Sequence, residues 1–307
     1  MLIMEKKVIE CRLCPRDCKV NRASEKGICQ VSNKIKIARA ALHFWEEPCI
    51  SGKNGSGAVF FSGCNLHCVF CQNEEISHGK VGQDISVEDL ARQFIKLQLQ
   101  GANNINLVTG TQYIPEIVKA VKLAKEGIDS DNKLKIPIIY NTSGYEKVES
   151  LKLLEGIVDV YLPDFKYMEN ELAEKYSHAK DYPEVSKAAI AEMVRQCPEV
   201  VFDENGFVTA GVIVRQLLLP GHVNDAKAII KYLYENYHDQ IFISMMSQYT
   251  PMPQIASKHP EINRRVTKRE YDSLIKYALD LGVENAFIQD RKVAKESFIP
   301  EFSNHLE

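Results

Sequence analysis

Residues 57–73 read GAVFFSGCNLHCVFCQN and lead from an apolar segment directly into three closely spaced cysteines. The segment GAVFF has no alternation of polar and apolar residues, which predicts a strand buried on both faces. Strands of this kind form parallel sheets covered by helices, and the functional groups of α/β barrels collect at the carboxyl ends of the strands. We therefore predict that this stretch is the first strand of such a fold and that its end carries a metal site.

Further apolar segments alternate with helical patterns along the rest of the chain. The predicted strands cover residues 57–63, 104–110, 136–144, 157–166, 209–221, 241–249 and 284–290. The predicted helices cover residues 86–100, 114–127, 146–155, 169–178, 183–196, 225–237 and 267–282. Strand–helix units followed by one further strand predict the α/β class, with a partial (β/α)6 barrel that resembles a TIM barrel. We assign residues 51–307 to the barrel and residues 1–50 to a small, cysteine-rich, metal-binding extension.

The composition of the 307-residue chain is that of a globular protein, with 45% hydrophobic and 26% charged residues. It excludes a disordered chain and a coiled coil. The sequence has no apolar run long enough to span a membrane, and a net charge of −3 gives no reason to expect a nucleic-acid or membrane partner. Because the N-terminus resembles no secretory signal and the cysteines are clustered like metal ligands, we expect a cytoplasmic protein.

The first cysteine cluster has the spacing C-x3-C-x2-C and consists of Cys64, Cys68 and Cys71. Three thiolates can hold three irons of a four-iron, four-sulfur (4Fe-4S) cluster and leave the fourth iron without a protein ligand. A structural zinc ion would need a fourth ligand, which His67 or a distant cysteine would have to supply. Spacing alone leaves both kinds of metal site open.

With an aromatic residue, Phe70, before its last cysteine, this motif resembles that of the radical S-adenosylmethionine (SAM) superfamily. The resemblance implies a 4Fe-4S cluster on Cys64, Cys68 and Cys71, with SAM at the open iron and Phe70 against the adenine. It also implies a reductant such as flavodoxin or ferredoxin, and cleavage of SAM to a 5′-deoxyadenosyl radical. The cofactor would carry the difficult chemistry, and the protein would orient and shield it.

Within this superfamily the chain is similar to pyruvate formate-lyase activating enzymes. Their Gly-Gly-Glu turn after the second strand corresponds here to Gly110, Thr111 and Gln112, and their Asp-Thr-Asn-Gly stretch after the third strand begins here with Asn141. Both stretches replace an acid by an amide, which still accepts a hydrogen bond but carries no charge. The similarity implies that these four residues contact SAM.

Asp164 and Lys166 follow the fourth predicted strand and also match the activating enzymes. Residues two apart in a strand point to the same face, so both side chains would project into the barrel mouth and suit the zwitterionic methionine part of SAM. Arg215 lies within an apolar run, where a buried charge needs a partner: a buried acid, or the carboxylate or ribose of SAM. His222 and Tyr249 are further candidates for contacts with substrate and nucleoside. No catalytic residue is assigned.

The similarity to activating enzymes implies a substrate as well. It implies hydrogen abstraction from a glycine of a partner protein, which would become a glycyl radical enzyme. The first alternative is a radical SAM enzyme that acts on a small molecule or on another protein residue. An alternative of a different class is a non-catalytic zinc-binding protein.

The second cysteine cluster lies near the N-terminus and consists of Cys11, Cys14, Cys18 and Cys29, with the spacing C-x2-C-x3-C-x10-C. Four thiols can complete the ligand set of a structural zinc ion or of a second Fe–S cluster. Both carry the same formal charge with four thiolates, so the nearby basic residues do not separate them. The segment resembles the extended N-terminus of a branch of activating-enzyme homologues, and Cys49 is interpreted as a buried cysteine without a ligand role.

Overall fold

The computed structural model of the chain describes residues 10–129 and 132–289. Its strands are β1 (Ile35–His43), β2 (Ser56–Phe61), β3 (Gln83–Ile85), β4 (Ile105–Val108), β5 (Ile138–Thr142), β6 (Val160–Pro163), β7 (Val201–Phe202), β8 (Val208–Leu217), β9 (Ile241–Met246) and β10 (Ala286–Ile288). Its α-helices are α1 (Pro48–Ser51), α2 (Glu74–Ser77), α3 (Val87–Leu99), α4 (Ile114–Glu126), α5 (Val148–Leu151), α6 (Asn170–Ser177), α7 (Tyr182–Gln196), α8 (Val223–Tyr237) and α9 (Lys268–Leu281).

Nine of these strands lie in one sheet in the order β10-β9-β8-β6-β5-β4-β2-β1-β3, and β7 pairs antiparallel with β8 off this path. Each neighbouring pair from β2 through β4, β5, β6, β8 and β9 to β10 is parallel. These strands correspond to the seven predicted from the sequence, and the α/β fold with a partial barrel is confirmed. The end of the last predicted strand, residue 290, lies outside the described residues.

The helices begin and end where local sequence signals place them. In α3 the side chain of Ser86 accepts a hydrogen bond from the backbone amide of Asp89, and the Asp89 carboxylate accepts one from the backbone amide of Ser86. The same capping box joins Thr267 and Glu270 in α9. Gly282 ends α9 in the left-handed conformation, at φ 95°. None of the helices in residues 10–129 and 132–289 combines the length and apolar character that crossing a membrane requires.

Strand β1 was missed by the sequence analysis. It pairs antiparallel with β2 and with β3 and so extends the sheet beyond its parallel part. Its sequence, IKIARAALH, mixes charged and apolar residues because one side of this peripheral strand is only half-buried. The assignment of residues 1–50 to a separate extension stays a prediction, and β1 lies before that boundary although it belongs to the sheet.

The segment of residues 44–51 fills the amino-terminal end of the barrel interior, and we call it the floor segment. Its Cys49 and Ile50 are buried against the inward-facing side chains of the parallel strands, including Ile139, Leu162 and Ile213. Two positions further along the same faces lie Asn141, Asp164 and Arg215, which line the main cavity. The floor segment therefore closes the barrel directly below that cavity.

Candidate active site

A cavity of about 280 Å³ lies at the carboxyl ends of the parallel strands. It brings together eight residues that the sequence analysis proposed for the cluster and for SAM. These are Cys64, Cys68, Cys71, Phe70, Asn141, Asp164, Lys166 and Arg215. The residues come from the loop after β2 and from the ends of β5, β6 and β8, which agrees with the general position of active sites in barrels.

The cysteine loop after β2 is held in a defined conformation. Gly63 has φ 89°, and a Cβ atom on it would lie 2.6 Å from the carbonyl oxygen of Cys29, so only glycine fits there. The Ser177 hydroxyl donates to the Sγ of Cys68 over 3.0 Å, and the Leu66 amide approaches the Sγ of Cys64 at 3.4 Å. The loop thus presents its thiols to the cavity.

The three thiols of this loop suit metal ligation electrostatically. Burial, together with the charge of nearby thiols, raises the pKa of Cys64, Cys68 and Cys71, to about 12 for Cys71. Lys166 lowers the pKa of Cys64 and Cys68 and so partly offsets the burial. A bound metal would displace the thiol protons, because thiolate is the ligand form.

Within residues 10–129 and 132–289, no three His, Cys, Asp or Glu side chains lie close enough together to hold one metal ion. Each thiolate of a 4Fe-4S cluster binds a different iron, so these thiols need not converge on a single point. The Nε2 of His67 lies 2.8 Å from the Ile28 carbonyl oxygen, which can only accept, so this nitrogen is the donor of that bond. That bond leaves the Nδ1 of His67 with a free lone pair. Because no set of three ligands in the described residues includes His67, the donor set still fits a cluster with three cysteine ligands better than a zinc site completed by His67.

Asp164 and Lys166 form an ion pair, with 2.5 Å between the Oδ2 of Asp164 and the Nζ of Lys166. Burial alone would lower the pKa of Lys166, but Asp164 and the Cys68 thiol raise it above its ordinary value. The lysine therefore stays charged beside the cysteines. A cation and a carboxylate at one cavity wall can bind an amino acid through both of its charged groups.

Tyr182, at the start of α7, ties the ends of β5 and β6 together, and the sequence analysis missed it. Its hydroxyl donates to the carbonyl oxygens of Ser143, over 2.8 Å, and of Asp164, over 3.0 Å, and accepts from the Lys166 amide. Such a buried hydroxyl gives no distinctive sequence signal, because tyrosine at the start of a helix is usually part of the core.

Arg215 is paired with two buried acids rather than left open for a ligand. Its Nε and one terminal nitrogen donate to both oxygens of Glu47, over 3.0 and 2.7 Å, and the same terminal nitrogen also binds Glu46. Burial alone would lower the pKa of Arg215, but Glu47 and Glu46 raise it well above its ordinary value. Of the partners that the sequence analysis left open for Arg215, the structure provides the buried acids, from the floor segment. The predicted contact of Arg215 with SAM stays a prediction.

In the turn after β4, Thr109 rather than residues 110–112 lies on the wall of the main cavity. Thr109, at φ 59°, lines the cavity, whereas Gly110, Thr111 and Gln112 are not among the described residues of its wall. The Nε2 of Gln112 instead donates to the backbone carbonyl oxygens at positions 62, 63 and 109, over 2.9 to 3.1 Å. Gln112 therefore braces the start of the cysteine loop from behind, and the contact of Gly110, Thr111 and Gln112 with SAM stays a prediction.

The four N-terminal cysteines, Cys11, Cys14, Cys18 and Cys29, surround a second, much smaller cavity. A Cβ atom on Gly27 would lie 3.0 Å from the Sγ of Cys18 and 3.7 Å from that of Cys29, so these two thiols flank the same glycine. Burial raises the pKa of Cys29 and raises that of Cys14 to about 12. The four cysteines therefore lie around one small cavity, and a metal centre there stays a prediction.

Residues 10–33, which we call the N-terminal module, pack against the back of the cysteine loop. Arg16 donates to the carbonyl oxygens of Asn65, over 2.7 Å, and Ser177, over 3.0 Å, and approaches that of Leu66 at 3.4 Å. Thr111 and Gln112 line the small cavity of the N-terminal module. The two cysteine clusters are therefore connected through the loop that carries the first of them.

The two weaker candidates lie in different places. Tyr249 lines the main cavity, packs edge-to-face on Phe70 with ring centres 5.8 Å apart, and donates to the Ile262 carbonyl oxygen. The Nε2 of His222 lies 3.1 Å from the Tyr176 hydroxyl, and His222 is not among the described residues that line the cavity. The predicted substrate contact of His222 stays a prediction.

Residues 58–233 match the family model of the radical SAM superfamily. The chain belongs to the radical SAM superfamily. This superfamily uses a 4Fe-4S cluster and SAM. Membership therefore implies the two cofactors that the cysteine motif of this radical SAM protein led us to expect. The activating-enzyme branch and the N-terminal metal site stay predictions.

The chain is also similar to individual proteins. An uncharacterised protein of Methanocaldococcus jannaschii is 31% identical over 285 residues, which cover 88% of this chain and 76% of that protein. Among solved structures, SuiB of Streptococcus suis bound to S-adenosylmethionine has a TM-score of 0.50 at 13% identity, covering 74% of this chain and 48% of SuiB. Coproporphyrinogen III oxidase (HemN) of Escherichia coli, a radical SAM enzyme, has a TM-score of 0.45 at 12% identity, and the match covers 71% of this chain and 49% of HemN. The chain spans about half the length of these two solved structures.

Proposed function

We propose that this protein is an enzyme that reductively cleaves SAM and abstracts a hydrogen atom from a substrate in the main cavity. The observation that carries the proposal is the position of Cys64, Cys68 and Cys71 on the wall of the same cavity as the Asp164–Lys166 pair. The bound cluster would supply one electron to SAM and thereby generate a 5′-deoxyadenosyl radical. The barrel wall would exclude water from it.

The residues of the cavity have distinct roles in this proposal. Phe70 is buried and packs on Tyr249, so its ring edge is fixed where it would support the adenine. The Asp164–Lys166 pair would bind the amino and carboxylate groups of SAM, and Asn141 would offer its amide to the same ligand. Flavodoxin or ferredoxin would supply the electron.

For the substrate we propose a glycine of a partner protein, as in the activating enzymes that the chain resembles. A small molecule or another protein residue is the alternative. The two are distinguished by deuterium transfer: deuterated glycine in the partner peptide would deliver deuterium to 5′-deoxyadenosine. A non-catalytic zinc protein is not favoured, because the chain belongs to a superfamily of SAM-cleaving enzymes.

The proposed activity is tested by anaerobic reconstitution with iron and sulfide, followed by addition of dithionite and SAM. We expect a brown protein that forms 5′-deoxyadenosine. Cys68→Ala should abolish the product and the part of the brown absorbance that this cluster contributes, since a cluster on two cysteines is no longer anchored. Cys197→Ala is the matched control, because Cys197 lies at the end of α7 outside both clusters, and it should keep both signals. A colourless protein, or product formation by Cys68→Ala, would contradict the proposal.

We also propose that Cys11, Cys14, Cys18 and Cys29 bind a second metal centre, either zinc or an Fe–S cluster. The test is metal analysis of the triple variant Cys64→Ala/Cys68→Ala/Cys71→Ala after anaerobic purification. Iron and sulfide that remain in this variant would indicate a second Fe–S cluster, and zinc without sulfide would indicate a structural zinc site. The absence of both metals would refute the second site.

A further inference from the structure

The segment of residues 247–266 leads from the end of β9 towards α9, and we call it the β9 loop. It contributes Gln248 and Tyr249 to the wall of the main cavity, where Tyr249 packs edge-to-face on Phe70. Tyr249 is buried, and its hydroxyl donates over 2.9 Å to the carbonyl oxygen of Ile262 in the same loop. The position of the Tyr249 ring in the cavity wall therefore depends on the later part of the β9 loop.

Tyr176, near the end of α6, contacts the cysteine loop from the other side. Its backbone carbonyl oxygen accepts from the amide of Val69 over 2.9 Å, and its ring lies edge-to-face with that of Phe70, with the ring centres 6.5 Å apart. The next residue, Ser177, donates to the Sγ of Cys68. The end of α6 is thus attached to the loop that carries Phe70 and the three cysteines.

The Tyr176 hydroxyl joins this end of α6 to the β9 loop. It donates to the Oε1 of Glu261 over 2.9 Å, and it lies 3.1 Å from the Nε2 of His222, which must then be the donor of the second bond. The hydrogen bond from Lys175, with a smaller contribution from Tyr176, lowers the pKa of Glu261 to about 2, so this carboxylate is charged at neutral pH. Because the acceptor is ionised and the Tyr176 side chain is buried, loss of this bond is more costly than loss of an exposed one.

We propose that the Tyr176–Glu261 hydrogen bond positions the rings of Tyr249 and Phe70 for the nucleoside part of SAM, so that Tyr176 and Glu261 are positioning residues. Glu261 precedes Ile262, which holds the Tyr249 hydroxyl, and Tyr176 holds the amide next to Phe70. The bond therefore connects the supports of both rings, although neither Tyr176 nor Glu261 is among the described residues that line the main cavity. This inference rests on the proposed function, because it concerns the binding of the same ligand.

The test compares Tyr176→Phe, which keeps the ring beside Phe70 and removes only the hydroxyl, with the wild type. Equilibrium dialysis of radiolabelled SAM against the reconstituted, unreduced protein should give a dissociation constant raised about fivefold or more, because fewer molecules hold the binding-competent arrangement. Glu261→Gln should also weaken binding, and the double variant should bind no more weakly than the weaker single variant, since both changes break one bond. Tyr161→Phe is the matched control: it removes the hydroxyl of another buried tyrosine, which donates to Gln196 at the end of α7, and should change the constant by less than about twofold.

A second measurement needs neither SAM nor a metal. In metal-free, full-length Tyr176→Phe, amide hydrogen exchange in residues 255–262 of the β9 loop should accelerate about tenfold or more, with exchange in β4 and β5 unchanged. Unchanged exchange in the β9 loop, unchanged affinity for SAM, or additive effects of the two substitutions would each overturn the inference. If Tyr176→Phe does not fold, Glu261→Gln alone breaks the same bond and should show both effects. If the wild type binds no SAM, the proposed function fails, whereas the exchange measurement still shows whether this bond holds the β9 loop.

Discussion

At the scale of single residues, Glu146 is a carboxylate enclosed behind the active site. One of its oxygens, Oε1, accepts from the hydroxyls of Thr111, over 2.6 Å, of Thr142, and of Tyr140, over 3.3 Å, while Oε2 is buried without a partner. Burial raises the pKa of Glu146 from 4.5 to about 7, although the three hydroxyls act to lower it. Because Thr111 follows β4 and Thr142 ends β5, this one side chain links the two strand ends.

This raised pKa predicts a pH dependence of stability. The folded protein holds the proton of Glu146 more tightly than the unfolded chain, so the contribution to stability is fully present below pH 4.5 and is lost as the pH rises through about 7. Relative to Glu146→Gln, which cannot ionise, the wild-type free energy of unfolding should fall by about 3 kcal/mol across this interval. Urea unfolding of both proteins at several pH values measures the difference.

The control for this prediction is Glu204→Gln, which changes an exposed carboxylate in a loop. Its stability should follow that of the wild type at every pH. A constant difference between the wild type and Glu146→Gln from pH 4.5 to pH 7 would show that folding does not shift the pKa of Glu146.

At the scale of elements, the N-terminal module holds the cysteine loop from outside the barrel. Arg16 is the main contact, because one guanidinium reaches carbonyl groups on the loop and at the end of α6, and its carbon also lies 5.2 Å from the centre of the Tyr145 ring. Hydrogen bonds from a charged group contribute about 1.5–3 kcal/mol each. The module therefore restricts the conformation of the loop.

Removal of this contact should loosen the loop without unfolding the barrel. In Arg16→Ala we expect amide hydrogen exchange in residues 63–71 to accelerate by about tenfold or more, with exchange in β8 and β9 unchanged. Mass spectrometry of the metal-free, full-length protein measures both regions. Arg92→Ala is the matched control, since Arg92 forms only exposed ion pairs on α3, and it should leave the loop as protected as in the wild type. If the amides of the loop exchange equally slowly in Arg16→Ala and in the wild type, Arg16 does not restrict the loop.

At the scale of the whole molecule, the sequence was sufficient for the parallel part of the sheet and for the cysteine and Asp164–Lys166 positions. The buried strands are continuous apolar runs, and β2 is buried at all six of its residues, so each run was visible without knowledge of its neighbours. The Asp164–Lys166 prediction combined the two-residue period of a strand with the match to activating enzymes. Patterns of this kind lie within a short stretch of sequence, so they can be recognised without knowing which other parts of the chain contact it.

The features that escaped prediction depend on contacts between distant parts of the chain. Glu47 and Arg215 are 168 residues apart, and neither local segment indicates the other as its partner. The turn after β4 is a related case: Thr109 has a positive φ and lines the cavity, whereas residues 110–112 are not among its described lining residues. A match to the motifs of other sequences shows which residue types correspond, but it does not show which of these side chains faces the cavity.

The floor segment has a consequence for how the molecule reaches its native state. Residues 44–51 precede every parallel strand whose interior they fill, so the ribosome releases Ile50 long before Ile139 and Ile213 exist to cover it. Contacts between such distant positions carry a high cost in loop closure and slow the folding of a domain. The barrel interior therefore closes late in folding. Until then its apolar wall stays exposed, and it is the surface that chaperones would bind.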